Sequence, residues 1–191
     1  MINAETKKIV RQALPILFLC VIIEVGAGSV LGGMEDSFKL LPGLIILVPP
    51  LLGLRGNISG ALASRLSTAL HAGILDPRLL WGPKLRTNVL SSFFLTFLVS
   101  ATAGVLAWIV TLIIGIASVP IYTFIIIAVL AGMFSSLILI GLTIAVAFTS
   151  YIKGFDPDNV TGPIMASIGD IFTVIAIYVS VLVVRLIGLI G

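Results

Sequence analysis

Five long apolar runs, separated by short stretches that carry most of the charge, set the pattern of this 191-residue chain. The runs cover about Ala13–Gly33, Leu40–Leu70, Val89–Ile116, Tyr122–Ser150 and Asn159–Leu189. Each can supply the ~20 helical residues that cross ~30 Å of hydrocarbon. Apolar residues follow one another continuously instead of alternating over ~10 residues as in barrel strands, so the pattern predicts helices. The breaks at "GGMEDSFK", "HAGILDPRLLWGPKLRTN", "GIASVP" and "YIKGFDPDN" hold turn-forming and helix-starting residues. The expected fold is all-α: one transmembrane domain over residues 1–191, multi-pass in the cell membrane, with no internal repeat.

Composition supports this reading. The chain is 59% hydrophobic and 10% charged, against roughly 25% charged residues in a soluble domain. The net charge of +3 is spread over several short loops, which argues for membrane topology and against a nucleic-acid partner. Placing the N-terminus inside collects Lys7, Lys8, Arg11, Arg78, Lys84, Arg86 and Lys153 on the cytoplasmic side, leaving Lys39 and Arg185 outside. The expected orientation is N-in and C-out. A cleaved signal peptide is not expected, because Glu24 interrupts the apolar core that such a peptide needs. Lone Cys20 excludes an intramolecular disulfide framework. Trp81 suits an interfacial anchor, whereas packing alone explains the deeper Trp108.

The second run, "VPPLLGLRGNISGALASRLSTALHAG", is unusual for a lipid-spanning helix. Pro49 and Pro50 remove amide donors and are expected to kink or break it. Gly53, Asn57, Gly60, Ser64 and Thr68 recur at three- and four-residue spacing and share one small, polar face. Such a face suits close helix packing or the lining of a wet path. Gly56, Gly60 and Ser64 in particular leave room for another helix.

The fifth run opens with "DPDNVTGP", where Pro157 suits a first helical turn and Asp156 and Asp158 suit its positive end. Asp170 is different. Thirteen residues past Pro157, at ~1.5 Å per residue, it lies ~20 Å along the helix. A carboxylate at that depth costs at least about 2.5 kcal/mol and is a functional candidate by default. Asp156, Pro163, Ala166, Asp170 and Thr173 or Val174 follow helical spacing on one face, the kind of stripe that walls a cation path. The bland alternative pairs Asp170 with Arg55 or Arg65 for structure alone. Glu24, near the middle of the first span, is open to two readings: a structural acid, or a site for a coupling ion or proton. Single His71 has no partner in sequence that suggests a metal site.

"PPLLGLRGNISGALASRLSTALHAG" and "DPDNVTGPIMASIGDIFTVIAIY" resemble the two signature segments of solute carrier family 41, related to the membrane domain of MgtE-type magnesium transporters. The resemblance implies transport of divalent cations, chiefly Mg²⁺, with Co²⁺ or Mn²⁺ also conceivable, and no further cofactor. It implies a two-fold homodimer of five-helix units whose second and fifth helices line a central pore. By the same resemblance Asp170 binds the ion, Ala166 offers its backbone carbonyl to the hydrated ion, Asn57 is the motif asparagine, and Asp156 belongs to the cytoplasmic mouth. Gly53, Gly60, Ser64, Pro163 and Thr173 are the expected pore-lining positions. Eukaryotic members join two such units and MgtE proteins carry cytosolic sensor domains; one unit and a short leading segment predict a homodimer without sensor-type gating.

Mg²⁺ sheds water reluctantly and is often held by one or two carboxylates while keeping several waters. Two Asp170 side chains across a dimer axis would meet that need, favouring a divalent over a monovalent ion. An exchanger of the same fold, coupled to Na⁺ or H⁺, is the nearest alternative. An enzyme is not expected: "SIGD" only superficially resembles an intramembrane aspartyl protease element, and no Tyr-Asp pair accompanies it. A non-transporting assembly subunit would leave Asp170 and Asn57 without a purpose.

Overall fold

A computed structural model describes residues 4–77, 81–116, 119–155 and 157–190; Arg78 and Asp156 lie outside them. The described residues form helices α1 (Ala4–Gly32), α2 (Glu35–Leu40), α3 (Leu44–His71), α4 (Pro83–Ile114), α5 (Ile121–Ile152) and α6 (Pro157–Leu186). Among them, α3 to α6 are long and apolar enough to cross a membrane, and α1 contributes a shorter apolar stretch, Leu17–Gly32. The chain is a multi-pass, all-helical membrane protein. The break at "GGMEDSFK" holds a helix of its own, α2, where Lys39 pairs with Glu35 at 2.8 Å and approaches Asp36 at 3.8 Å. These exposed pairs add little stability.

Start and stop residues explain most helix boundaries. Pro83 and Pro157 open α4 and α6, where their missing amides cost no helical bond. Gly43 precedes α3 at φ 93°, a left-handed conformation open mainly to glycine. Against the sequence expectation, α3 runs unbroken through Pro49 and Pro50. Both lie in its second turn, so only first-turn carbonyls lose their donors, and both rings face outward, away from the neighbouring helices.

Cys20 meets Pro163 and Glu24 meets Ser167, so α1 and α6 run parallel. Ala4 and Leu186 therefore stand at opposite ends of the bundle. One apolar cluster, around Leu44, Leu51, Ile127, Ala131 and Ile177, fills one end. A second, around Leu62, Leu66, Leu85, Ile140 and Phe148, fills the other. Between them lies a buried polar belt containing Arg55, Ser59, Ser92, Thr96, Ser100, Ser135 and Ser136. Many hydroxyls satisfy themselves on the carbonyl one turn back, as Thr96 does on Ser92 (2.8 Å) and Ser135 on Ala131 (2.8 Å). In lipid, where no water can take over, that local bond makes a mid-span hydroxyl tolerable.

Candidate ion site in a groove on α6

Both α1 and α3 pack on α6, yet they make little contact with each other, leaving a groove along α6. Ser167 faces α1 through Glu24, and Gly169 faces α3, where an added Cβ would lie 3.7 Å from the Cβ of Arg55. With ~100° between successive residues, Asp170 falls on the arc between these two directions. It is half-buried there and makes no hydrogen bond or ion pair with any described residue.

The other acid at this level is Glu24 of α1. Its Oε1 accepts a hydrogen bond from Ser167 Oγ at 3.0 Å. Four residues earlier on each helix, the Cys20 thiol donates to the Pro163 carbonyl at 3.5 Å. Ser167 is buried and was not among the expected site residues; only its four-residue offset from Pro163 hinted at a place on this stripe. Ala166 is half-buried one turn before Asp170. Its carbonyl takes the Asp170 amide within the helix and keeps a second lone pair.

The small face of α3 turns away from the rest of the chain. Gly53, Asn57, Ser64 and Thr68 are exposed and Gly60 half-buried, and an added Cβ at Gly53, Gly56 or Gly60 would meet nothing within 4 Å. Thr173 behaves otherwise: it is buried and its hydroxyl returns to the Gly169 carbonyl at 2.7 Å. The structure thus brings Asp170, Glu24, Ala166 and Pro163 to one groove and leaves the α3 positions on an outward face. Asp156 lies outside the described residues.

The pairing of Asp170 with Arg55 or Arg65 is not present. Arg55 donates from Nη1 to Ser136 Oγ, and Arg65 donates to Ser92 Oγ at 3.2 Å and to the Ala61 carbonyl at 3.1 Å. His71 is engaged structurally, its Nδ1 2.9 Å from the Ser67 carbonyl and its ring edge-on to Tyr151 at 5.4 Å. No group of three or more His, Cys, Asp or Glu side chains gathers among the described residues. Within one chain, the groove offers a carboxylate or two and some carbonyls, a donor set suited to an ion that keeps most of its water.

Residues 48–181 match the MgtE family, described as a divalent cation transporter. The chain belongs to this family. It is also 36% identical over 161 residues to solute carrier family 41 member 2 of Xenopus laevis, covering 78% of this chain and 27% of that protein. Solute carrier family 41 member 3 of Rattus norvegicus is 34% identical over 172 residues, 85% of this chain and 36% of that protein. The human member 2 is 31% identical over 188 residues, covering 88% and 31%. The chain thus spans about a third of the length of the curated relatives it matches. The MgtE match includes α3 from Val48 and α6 as far as Val181, and so takes in the α3 face and Asp170.

Proposed function

We propose that this MgtE-family chain conducts divalent cations, chiefly Mg²⁺, along a path lined by α3 and α6 at the axis of a homodimer, with Asp170 as the central carboxylate. The observation that carries the reading is Asp170 midway along α6, half-buried between α1 and α3 and without a partner among the described residues, beside an α3 whose small polar face points outward. A second copy laid against that face would enclose the groove and bring two Asp170 side chains to one level. Two carboxylates there attract a divalent ion more strongly than a monovalent one, while the hydroxyl, carbonyl and Asn57 amide groups hold its waters. Weak, water-mediated contacts also let the ion leave, as conduction requires. Flux of Mg²⁺, Co²⁺ and Mn²⁺ into liposomes, measured with Na⁺ and proton gradients imposed or absent, tests the reading. Absence of flux for all three ions overturns it.

The position of Glu24 favours a second reading, an exchanger coupled to Na⁺ or H⁺. A carboxylate on the wall of the groove attracts a divalent ion twice as strongly as a monovalent one. Glu24→Gln is therefore expected to raise the half-saturating Mg²⁺ concentration several-fold in the same liposomes. If coupling runs through Glu24, the variant also loses its response to the imposed gradient. A flux curve and gradient response equal to wild type would leave Glu24 as an anchor for Ser167 and nothing more.

A further inference from the structure

The belt at mid-bundle contains one charge that the path described above does not use. Arg55 is 1% exposed. Its Nη1 donates to Ser136 Oγ, which in turn donates a hydrogen bond to Thr96 Oγ1 at 2.9 Å, while Nε and Nη2 have no hydrogen-bond partner among the described residues. A guanidinium does not give up its proton in a protein, so this is a permanent positive charge inside a lipid-spanning bundle. No described carboxylate forms an ion pair with it. Such a burial is costly, and tethering α5 would need only a neutral donor.

Its location suggests what the charge does. The Arg55 Cβ abuts Gly169, the residue next to Asp170. Arg55 and Asp170 thus sit at one level on touching helices, Asp170 on the groove side of α6 and the Arg55 guanidinium bonded to Ser136 of α5. We infer that Arg55 is a fixed countercharge that weakens the grip of the Asp170 groove on a divalent ion and so sets its release. The inference rests on Asp170 being the ion site. Coulomb repulsion from a fixed cation scales with the charge of the ion, so it bears twice as hard on Mg²⁺ as on Na⁺. Without it, a groove with Asp170 and Glu24 facing a divalent ion in low dielectric would bind it and hold it.

The test is Mg²⁺ binding to purified protein by isothermal titration calorimetry, with thermal stability and liposome flux measured on the same samples. Arg55→Gln keeps a donor for Ser136 and removes the charge. It is expected to tighten Mg²⁺ binding by about tenfold or more and to slow maximal flux. Arg55→Lys keeps the charge and is expected to bind as wild type. Should the glutamine variant not fold, Arg55→Met removes the charge and leaves no polar group to satisfy. Unchanged affinity in the neutral variants, with lowered stability only, makes Arg55 a structural tether and overturns the inference. An equal affinity shift in the lysine variant overturns it too, because shape and not charge would then be responsible. Asp170→Asn separates the two levels: if it binds Mg²⁺ as wild type does, the ion-site reading fails and the countercharge with it. If it loses binding while the neutral Arg55 variants bind as wild type, only the countercharge fails.

Discussion

Asp170→Asn is expected to leave the chain folded and to lower divalent flux at least about tenfold, since each 1.4 kcal/mol of lost ion stabilisation is a factor of ten. The amide fills the same space and removes the charge. Because Asp170 has no partner among the described residues, the substitution breaks no internal bond and its thermal midpoint should match or exceed that of wild type. That combination is the point of the experiment. A structural carboxylate would show the reverse, with flux tracking a loss of stability. Radiotracer or dye uptake by liposomes, paired with a melting curve, distinguishes them, and near wild-type uptake would remove Asp170 from the path.

The second large effect concerns two glycines that look alike in sequence. A Cβ at Gly104 would lie 2.8 Å from the Ile125 Cα and 2.9 Å from the Phe124 carbonyl oxygen, so α4 and α5 would have to separate. Gly104→Ala should cost about 1–3 kcal/mol and lower the melting temperature by about 2–12 °C. Gly60 faces open space, so Gly60→Leu should leave the fold of one chain intact. If α3 packs against a second copy, the same change should convert the dimer to monomer in native mass spectrometry and abolish flux. A stable, active dimer carrying leucine at Gly60 would place the homodimer contact elsewhere.

The helices were legible because an apolar run of twenty or more residues has few alternatives in lipid, where every backbone amide must be satisfied within the chain. The depth of Asp170 followed from counting residues along one helix, and the common face of Gly53, Asn57 and Gly60 from helical period. What sequence did not show depends on contacts between distant segments. Glu24 and Ser167 are 143 residues apart, and nothing local marks either as the partner of the other. The hydroxyls of α4 and α5 read as scattered serines and threonines until packing aligns Ser92, Thr96, Ser135 and Ser136 into one layer. Pro49 and Pro50 suggested a break because their cost depends on which carbonyls lose a donor, and here those lie in the first turn. Thr173 shares the spacing of the Asp170 stripe, but at 60° from Asp170 it already falls beneath a neighbouring helix.

The parallel course of α1 and α6 constrains how this unit can be duplicated. A chain that crosses an odd number of times finishes on the far side from where it began. If two such units were joined directly, the second would enter from the opposite face and lie upside down relative to the first. Two separate copies inserted in the same sense face the same way and can share an axis along the membrane normal. A polypeptide that carries both units and keeps that symmetry must therefore include a further crossing between them, and loss of that crossing would invert half of the assembly.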